Sequence, residues 1–174
     1  MLEHRYQLSI KWSGNTGQGT TTYCSYERSH IISSPGKPDL FGSSDPLFRG
    51  DPSQYNPEEL LLASLSACHM LWYLHLCSEN QIVVTAYVDN PCAIMVIEPS
   101  GSGYFQEVTL YPKIRITELK QQDTAKDLHL LAHKKCFIAN SVNFPVRIEA
   151  LIEHRVCVSE KETFLNNSIS KGPA

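Results

Sequence analysis

The sequence carries six cysteines and seven histidines, side chains that can act as nucleophiles, metal ligands or proton carriers. Two of them, Cys68 and His69, stand side by side inside the otherwise greasy stretch NPEELLLASLSACH, residues 56–69. A later segment, HKKCFIAN at residues 133–140, brings His133 and Cys136. At 100° per residue, Leu65, Cys68, Trp72 and His75 fall on one stripe of a helix, and His69 lies a step of 100° away from Cys68. His133 and Cys136 share a face of a second helix. Each helix therefore offers one cysteine and at least one histidine.

Three chemistries compete for these residues. In the first, buried cysteines behave as small hydrophobes and the histidines are hydrogen-bonded core groups. In the second, Cys68, His75, His133 and Cys136 hold zinc. Cys68 and His75 are then roughly 10 Å apart along the helix axis, too far for one metal shell. In the third, Cys68 and Cys136 are a redox pair, one attacking and one resolving. The cysteines at positions 24, 68, 77, 92, 136 and 157 include no CxxC pair. The opening MLEHRYQLSIKW lacks the apolar core of a signal peptide. The thiols are therefore expected reduced, in the cytoplasm. Cys24, Cys77, Cys92 and Cys157 lack a partner motif and are expected to be structural.

The elements that position these groups can be read in outline. Alternating Tyr6, Leu8, Ile10 and Trp12 predict a strand, SGNTGQG a turn, and residues 20–29 a returning strand, together a β-hairpin. Residues 33–55 hold four prolines and three glycines and read as a long loop. Asn56 predicts a helix cap, with Pro57 at the first helical position and Glu59 placed for a capping box. The helix should run to about residue 78, roughly 33 Å at 1.5 Å per residue. It is apolar nearly all round and needs cover on most sides, for which a second subunit is a natural supplier. Residues 82–89, 92–98 and 104–119 predict a meander of strands. A second helix is expected over 124–138 with Asp123 as its cap and Leu128, Leu131, Ala132 and Lys135 or Cys136 near one face. A last strand is expected over 146–158. Residues 1–160 read as a single domain and 161–174 as a loose polar tail. Apolar residues make up 42% and charged residues 19% of the chain, and the net charge is −3. That balance fits a soluble globular protein and gives nucleic acid no basic surface to bind. The apolar run over 60–77 is interrupted by Ser64, Ser66, His69 and His75, so a core helix is expected rather than a membrane span.

Several of these residues resemble the OsmC/Ohr family of thiol-dependent peroxidases: Asn56-Pro57-Glu58-Glu59-Leu60, Ala67-Cys68, the 133–140 segment, Trp12-Ser13-Gly14 and Phe48-Arg49-Gly50. The resemblance covers roughly residues 6–158. It implies an OsmC-like α+β fold, with long helices wrapped by the antiparallel sheets of an intertwined homodimer and active sites at the subunit interface. It implies that Cys68 attacks a hydroperoxide, organic or hydrogen peroxide, and becomes a sulfenic acid. Cys136 then closes a disulfide, and an outside thiol or dithiol restores both. No cofactor or metal is implied. Glu58 matches the family's carboxylate, whose task is to hold an arginine beside the thiolate. The Ohr branch carries that arginine in the first hairpin turn, where this chain has none. The OsmC branch carries it before the NPEE helix, where Arg49 lies one place out of register; Arg28 is the other candidate. Phe137 replaces the usual proline after Cys136, which is expected to let the second helix run on. His69, Trp72 and His75 are candidates to line the peroxide pocket, or equally to pack between subunits with satisfied hydrogen bonds. The alternative on the same fold is a non-enzymatic ligand-binding or redox-sensing protein.

Overall fold

The computed structural model describes residues 2–154. Its longest element is set locally. Helix α1, Pro57–Glu79, starts where Asn56 accepts a hydrogen bond from the Glu59 N–H at 2.8 Å and the Glu59 carboxylate accepts one from the Asn56 N–H at 3.1 Å. This closes the expected capping box, and Pro57 occupies the first turn.

Ahead of α1, strands β1 (Ser9–Trp12), β2 (His30–Ser33) and β3 (Leu40–Gly42) form an antiparallel sheet in the order β1-β2-β3. The strand expected over 20–29 is instead a series of turns, tied back by a single bridge between Asn15 and Tyr26. The Asn15 side chain accepts from the N–H groups of Gly17 and Gly19, and Ser25 Oγ accepts from the Thr22 N–H and donates to the Gly19 and Thr22 carbonyls. These local bonds compete with ladder pairing, and the partner of β1 begins only at His30. The expected loop over 33–55 also contains β3 and a 3-10 turn at Pro46–Phe48. Gly50 packs so tightly on the Ser44 carbonyl that a Cβ would collide with it, which accounts for the glycine of the Phe-Arg-Gly motif.

After α1 come β4 (Val84–Val88), β5 (Cys92–Ile97), β6 (Gly103–Leu110), β7 (Lys113–Ile116), helix α2 (Gln122–Lys135), β8 (Val146–Ile148) and β9 (Leu151–His154). The expected meander is corrected. Only β5 and β6 pair as neighbours in sequence; β4 pairs with β7, while β6–β8 and β7–β9 are parallel. The run 104–119 breaks at Pro112, which has no N–H to keep a ladder going. The run 146–158 breaks after Ile148, and its end, Cys157 and the tail 161–174 lie outside the described residues. The Leu110 and Pro112 carbonyls accept from the N–H groups of Glu149 and Leu151, each at 2.9 Å. The paired strands thus bend together.

Helix α1 lies across this bent surface. Its C-terminal half buries Tyr73, Leu76 and Cys77 with Ile114, Ile116, Leu128 and Ala132. Its N-terminal half buries Leu65 with Val108 and Leu110, and Ile138, Ala139 and Phe144 pack against that second cluster. Cys68 stands between the two clusters. Only 28% of the most apolar 18-residue stretch of α1 is buried within one chain. By length and composition alone the helix could cross a membrane.

Helix α2 begins one residue earlier than its expected cap, so Asp123 lies inside the first turn and Gln121 makes no side-chain cap bond. Its buried face is Ala125, Leu128, His129 and Ala132; Leu131 and Lys135 are exposed. The helix does not run past Cys136, although no proline follows. Cys136 turns extended, with φ −66 and ψ 113, while its N–H still reaches the Ala132 carbonyl at 2.9 Å. Asn140 then donates from its side chain to the Lys134 carbonyl at 3.0 Å. Packing of Ile138 and Ala139 into the second cluster draws the chain away from the helix axis.

Candidate active site

The site is made where the middle of α1 meets the C-terminus of α2. Cys68 is half-buried, and Cys136 is 1% exposed. Both are free thiols, and Cys68 is a near neighbour of the Cys136 side chain. The Ala139 N–H also points at Cys136 Sγ, at 3.4 Å. Burial, and next the neighbouring Cys68 thiol, push the Cys136 thiol up to about 11. Cys136 is therefore a protonated thiol near neutral pH, and the half-exposed Cys68 is the sulfur a solute can reach.

Cys68 opens on a cavity of about 950 Å³ that is mostly apolar. Ala67, Leu71 and Trp72 supply one wall from α1, and Phe137 and Ile138 another. Tyr6 and Lys37 from the N-terminal region also line it. Among the described residues that line it, Lys37 is the one lysine or arginine; it sits in a Pro-Gly-Lys-Pro loop whose sequence gives no hint of the site. Trp72 and His75 both line the cavity.

His69 does not. The buried face of α1 is Leu65, His69, Tyr73, Leu76 and Cys77, so His69 points into the core, away from the cavity lining. Its Nε2 lies 2.9 Å from Nδ1 of His129 on α2, one nitrogen donating to the other. Tyr73 stacks on His129 with centroids 3.9 Å apart. Burial, then the nearby His133, lowers His69 to about 4; burial, then His69, lowers His129 to about 3. Both rings are neutral at pH 7. His129 escaped the sequence reading because nothing in the spacing of α2 marks it as the partner of a residue on another helix. His75 is exposed and pairs with Glu79 at 3.4 Å. Among the described residues, no group of three or more potential metal ligands converges, so the zinc reading has no site.

Glu58 sits in the first turn of α1 with Oε2 buried and without a hydrogen-bond partner among the described residues. Neither arginine candidate reaches the cavity within one chain. Arg49 is exposed and ends the 3-10 turn in a left-handed conformation, φ 67. Arg28 is sandwiched between Tyr23 and Tyr26, 4.3 and 4.2 Å from their ring centroids, and donates to the Tyr23 carbonyl.

The family profile described as OsmC-like protein matches residues 50–150, more than half of the chain, and spans Glu58, Cys68 and Cys136. The chain belongs to the OsmC-like protein family. An OsmC-like protein of unknown function from Vibrio cholerae is 28% identical, with a TM-score of 0.76 over 86% of this chain and 100% of its own. An organic hydroperoxide resistance protein from Elizabethkingia anophelis is 17% identical, with a TM-score of 0.62 over 88% of this chain and 100% of its own. One from Legionella pneumophila is 18% identical, with a TM-score of 0.58 over 87% and 99%. These likenesses establish the OsmC-like α+β fold. No curated protein matches the chain.

Proposed function

We propose that this OsmC-like protein is a cysteine-based peroxidase that reduces organic hydroperoxides, with hydrogen peroxide as a smaller alternative substrate. The observation that carries this reading is a half-buried Cys68 that neighbours a buried Cys136 and opens on a large apolar cavity. The names of the Elizabethkingia and Legionella proteins of the same fold support it. The Cys68 thiolate attacks the outer oxygen of the hydroperoxide. A sulfur–oxygen bond forms, the O–O bond breaks, and the alcohol leaves after taking up a proton. The Cys136 thiol then attacks the sulfenic sulfur; a disulfide forms and water departs. An external thiol or dithiol reduces the disulfide and completes the two-electron reduction. The apolar walls exclude water and hold an organic peroxide near the sulfur.

The buried Glu58 Oε2 has a place for a cation. An arginine or lysine brought by a second copy of the chain would occupy it and favour the Cys68 thiolate. In this reading the working protein is a cytoplasmic homodimer that takes neither nucleic acid nor a membrane as partner. The reading is tested by consumption of an organic hydroperoxide with dithiothreitol. Cys68→Ser abolishes turnover. Cys136→Ser accumulates sulfenic and then sulfinic acid on Cys68, read by mass spectrometry. Full turnover in Cys68→Ser protein would overturn the proposal and leave ligand binding on this fold as the better account.

A further inference from the structure

The two residues that flank Cys136 both rest on one side chain of the opposite helix. Phe137 meets the Trp72 ring edge-on, centroids 5.7 Å apart and planes at 89°. Lys135 holds its ammonium 5.2 Å from the centroid of the same ring. Trp72 is four residues after Cys68, one turn along the same face of α1. Cys68 and Trp72 thus meet Cys136 and its two neighbours as two matched surfaces. Among the described residues neither neighbour has another aromatic or cation–π partner: Lys135 is exposed, and Phe137 is 67% exposed despite its size. Phe137 also walls the cavity, and within one chain its ring rests on the Trp72 indole.

The geometry points to Trp72 as a positioning residue for the resolving cysteine: with Lys135 and Phe137 it clamps the end of α2 so that Cys136 stays opposite Cys68. Cys136 has already left the helix, with extended backbone. Its main chain is tied to the Ala132 carbonyl, and Ile138 and Ala139 anchor the chain after it. The Trp72 contacts therefore act on what remains, the lateral fit of the Cys136 side chain against α1. The edge-on aromatic pair and the cation over the ring are together worth about a factor of ten in the population of the clamped arrangement. That factor appears as the effective concentration of one thiol toward the other. It raises the equilibrium constant for the disulfide and the rate at which Cys136 displaces water from the Cys68 sulfenic acid. In that step the S–S bond forms, the S–O bond breaks, and the proton of Cys136 leaves with the oxygen.

The kinetic half of this inference rests on the peroxidase reading; the equilibrium half does not. Wild-type protein, Trp72→Ala, Trp72→Phe and the double variant Lys135→Ala/Phe137→Ala are equilibrated in mixtures of reduced and oxidised dithiothreitol. The Cys68–Cys136 disulfide is then quantified by mass spectrometry of alkylated peptides. The expected result is an equilibrium constant about tenfold lower in Trp72→Ala, a shift of about 30 mV, with partial recovery in Trp72→Phe, which keeps an aromatic partner for Phe137. The double variant changes only side chains on the α2 side of the clamp and gives the same fall, which covers the case of a Trp72→Ala protein that does not fold. Wild-type constants in Trp72→Ala, or in the double variant if Trp72→Ala is unfolded, overturn the clamp. In a second arm, one equivalent of hydroperoxide is added and sulfenic acid and disulfide are followed separately. Slower closure, with more sulfinic acid on Cys68, is expected in the variants. A wild-type protein that forms the disulfide in dithiothreitol but never reacts with hydroperoxide ends the peroxidase reading and leaves the clamp standing.

Discussion

At the scale of single residues, the division of labour between the two thiols follows from burial. Cys136 is sealed and pushed up to about 11, while Cys68 opens on the cavity. Two substitutions separate the activating charge from the scaffold. Arg49 adopts a left-handed backbone that suits glycine better than any branched residue. Arg49→Gly should therefore keep or slightly raise the melting temperature, so a fall in peroxide turnover in that variant reports the guanidinium alone. Unchanged turnover removes Arg49 from the machinery. Glu58→Gln keeps the shape of the side chain but removes the charge that would hold a cation. Its kcat/KM should fall by roughly tenfold or more if the carboxylate organises the charge that stabilises the departing oxygen. Wild-type kinetics in Glu58→Gln would reduce Glu58 to a helix-dipole residue.

At the scale of elements, α1 and α2 meet at the neighbouring thiols Cys68 and Cys136 and, deeper in the core, at the His69–His129 bond and the Tyr73–His129 stack. The core junction depends on pH. Both imidazoles have lowered pKa values in the folded protein, about 4 and about 3, against about 6.5 in the unfolded chain. The fold favours their neutral forms: His133 lies near His69 and Tyr73 stacks on His129, and neither brings a negative charge. Their contribution is therefore complete above pH 6.5. It declines as pH falls below that value and is lost once pH has passed through 4 and then 3. Between pH 7.5 and pH 5 the unfolding free energy should drop by roughly 2–4 kcal/mol, measured by urea denaturation at each pH. A flat profile over that range would mean that the pair is charged or solvated. The elements themselves were legible unequally. The start of α1 could be read directly, because Asn56, Pro57 and Glu59 act within one turn. The face of α1 that enters the core could not. The helix is apolar all round, so the wheel favoured the stripe through Cys68, and docking placed the stripe through His69 inside.

At the scale of the whole molecule, one chain leaves much of its apolar surface uncovered. Leu71 is 62% and Ile10 65% exposed, and every residue of β1 is exposed. The N-terminal sheet packs substantially on neither helix. A second copy can cover α1 and lay this sheet over its neighbour, and the dimer proposal rests on that. Sedimentation velocity at micromolar concentration should give a dimer, and Ile10→Glu on β1 should shift it toward monomer with a parallel loss of turnover. A wild-type monomer that reduces hydroperoxide at full rate would refute the dimer and, with it, the supply of a cation to Glu58 from a second subunit.

The sequence by itself determined what depends on near neighbours: the cap and length of α1, the thiols and carboxylate available for chemistry, and, through the matched motifs, the family. Tertiary structure alone decided which of these groups meet. His69 and His129 are 60 residues apart, β4 finds β7 across two intervening strands, and α2 ends at Cys136 through the burial of Ile138 and Ala139. The reason is physical. Capping and turn bonds are satisfied within a few residues and leave their mark in local sequence, whereas burial is a property of surfaces that exist only once distant segments have packed.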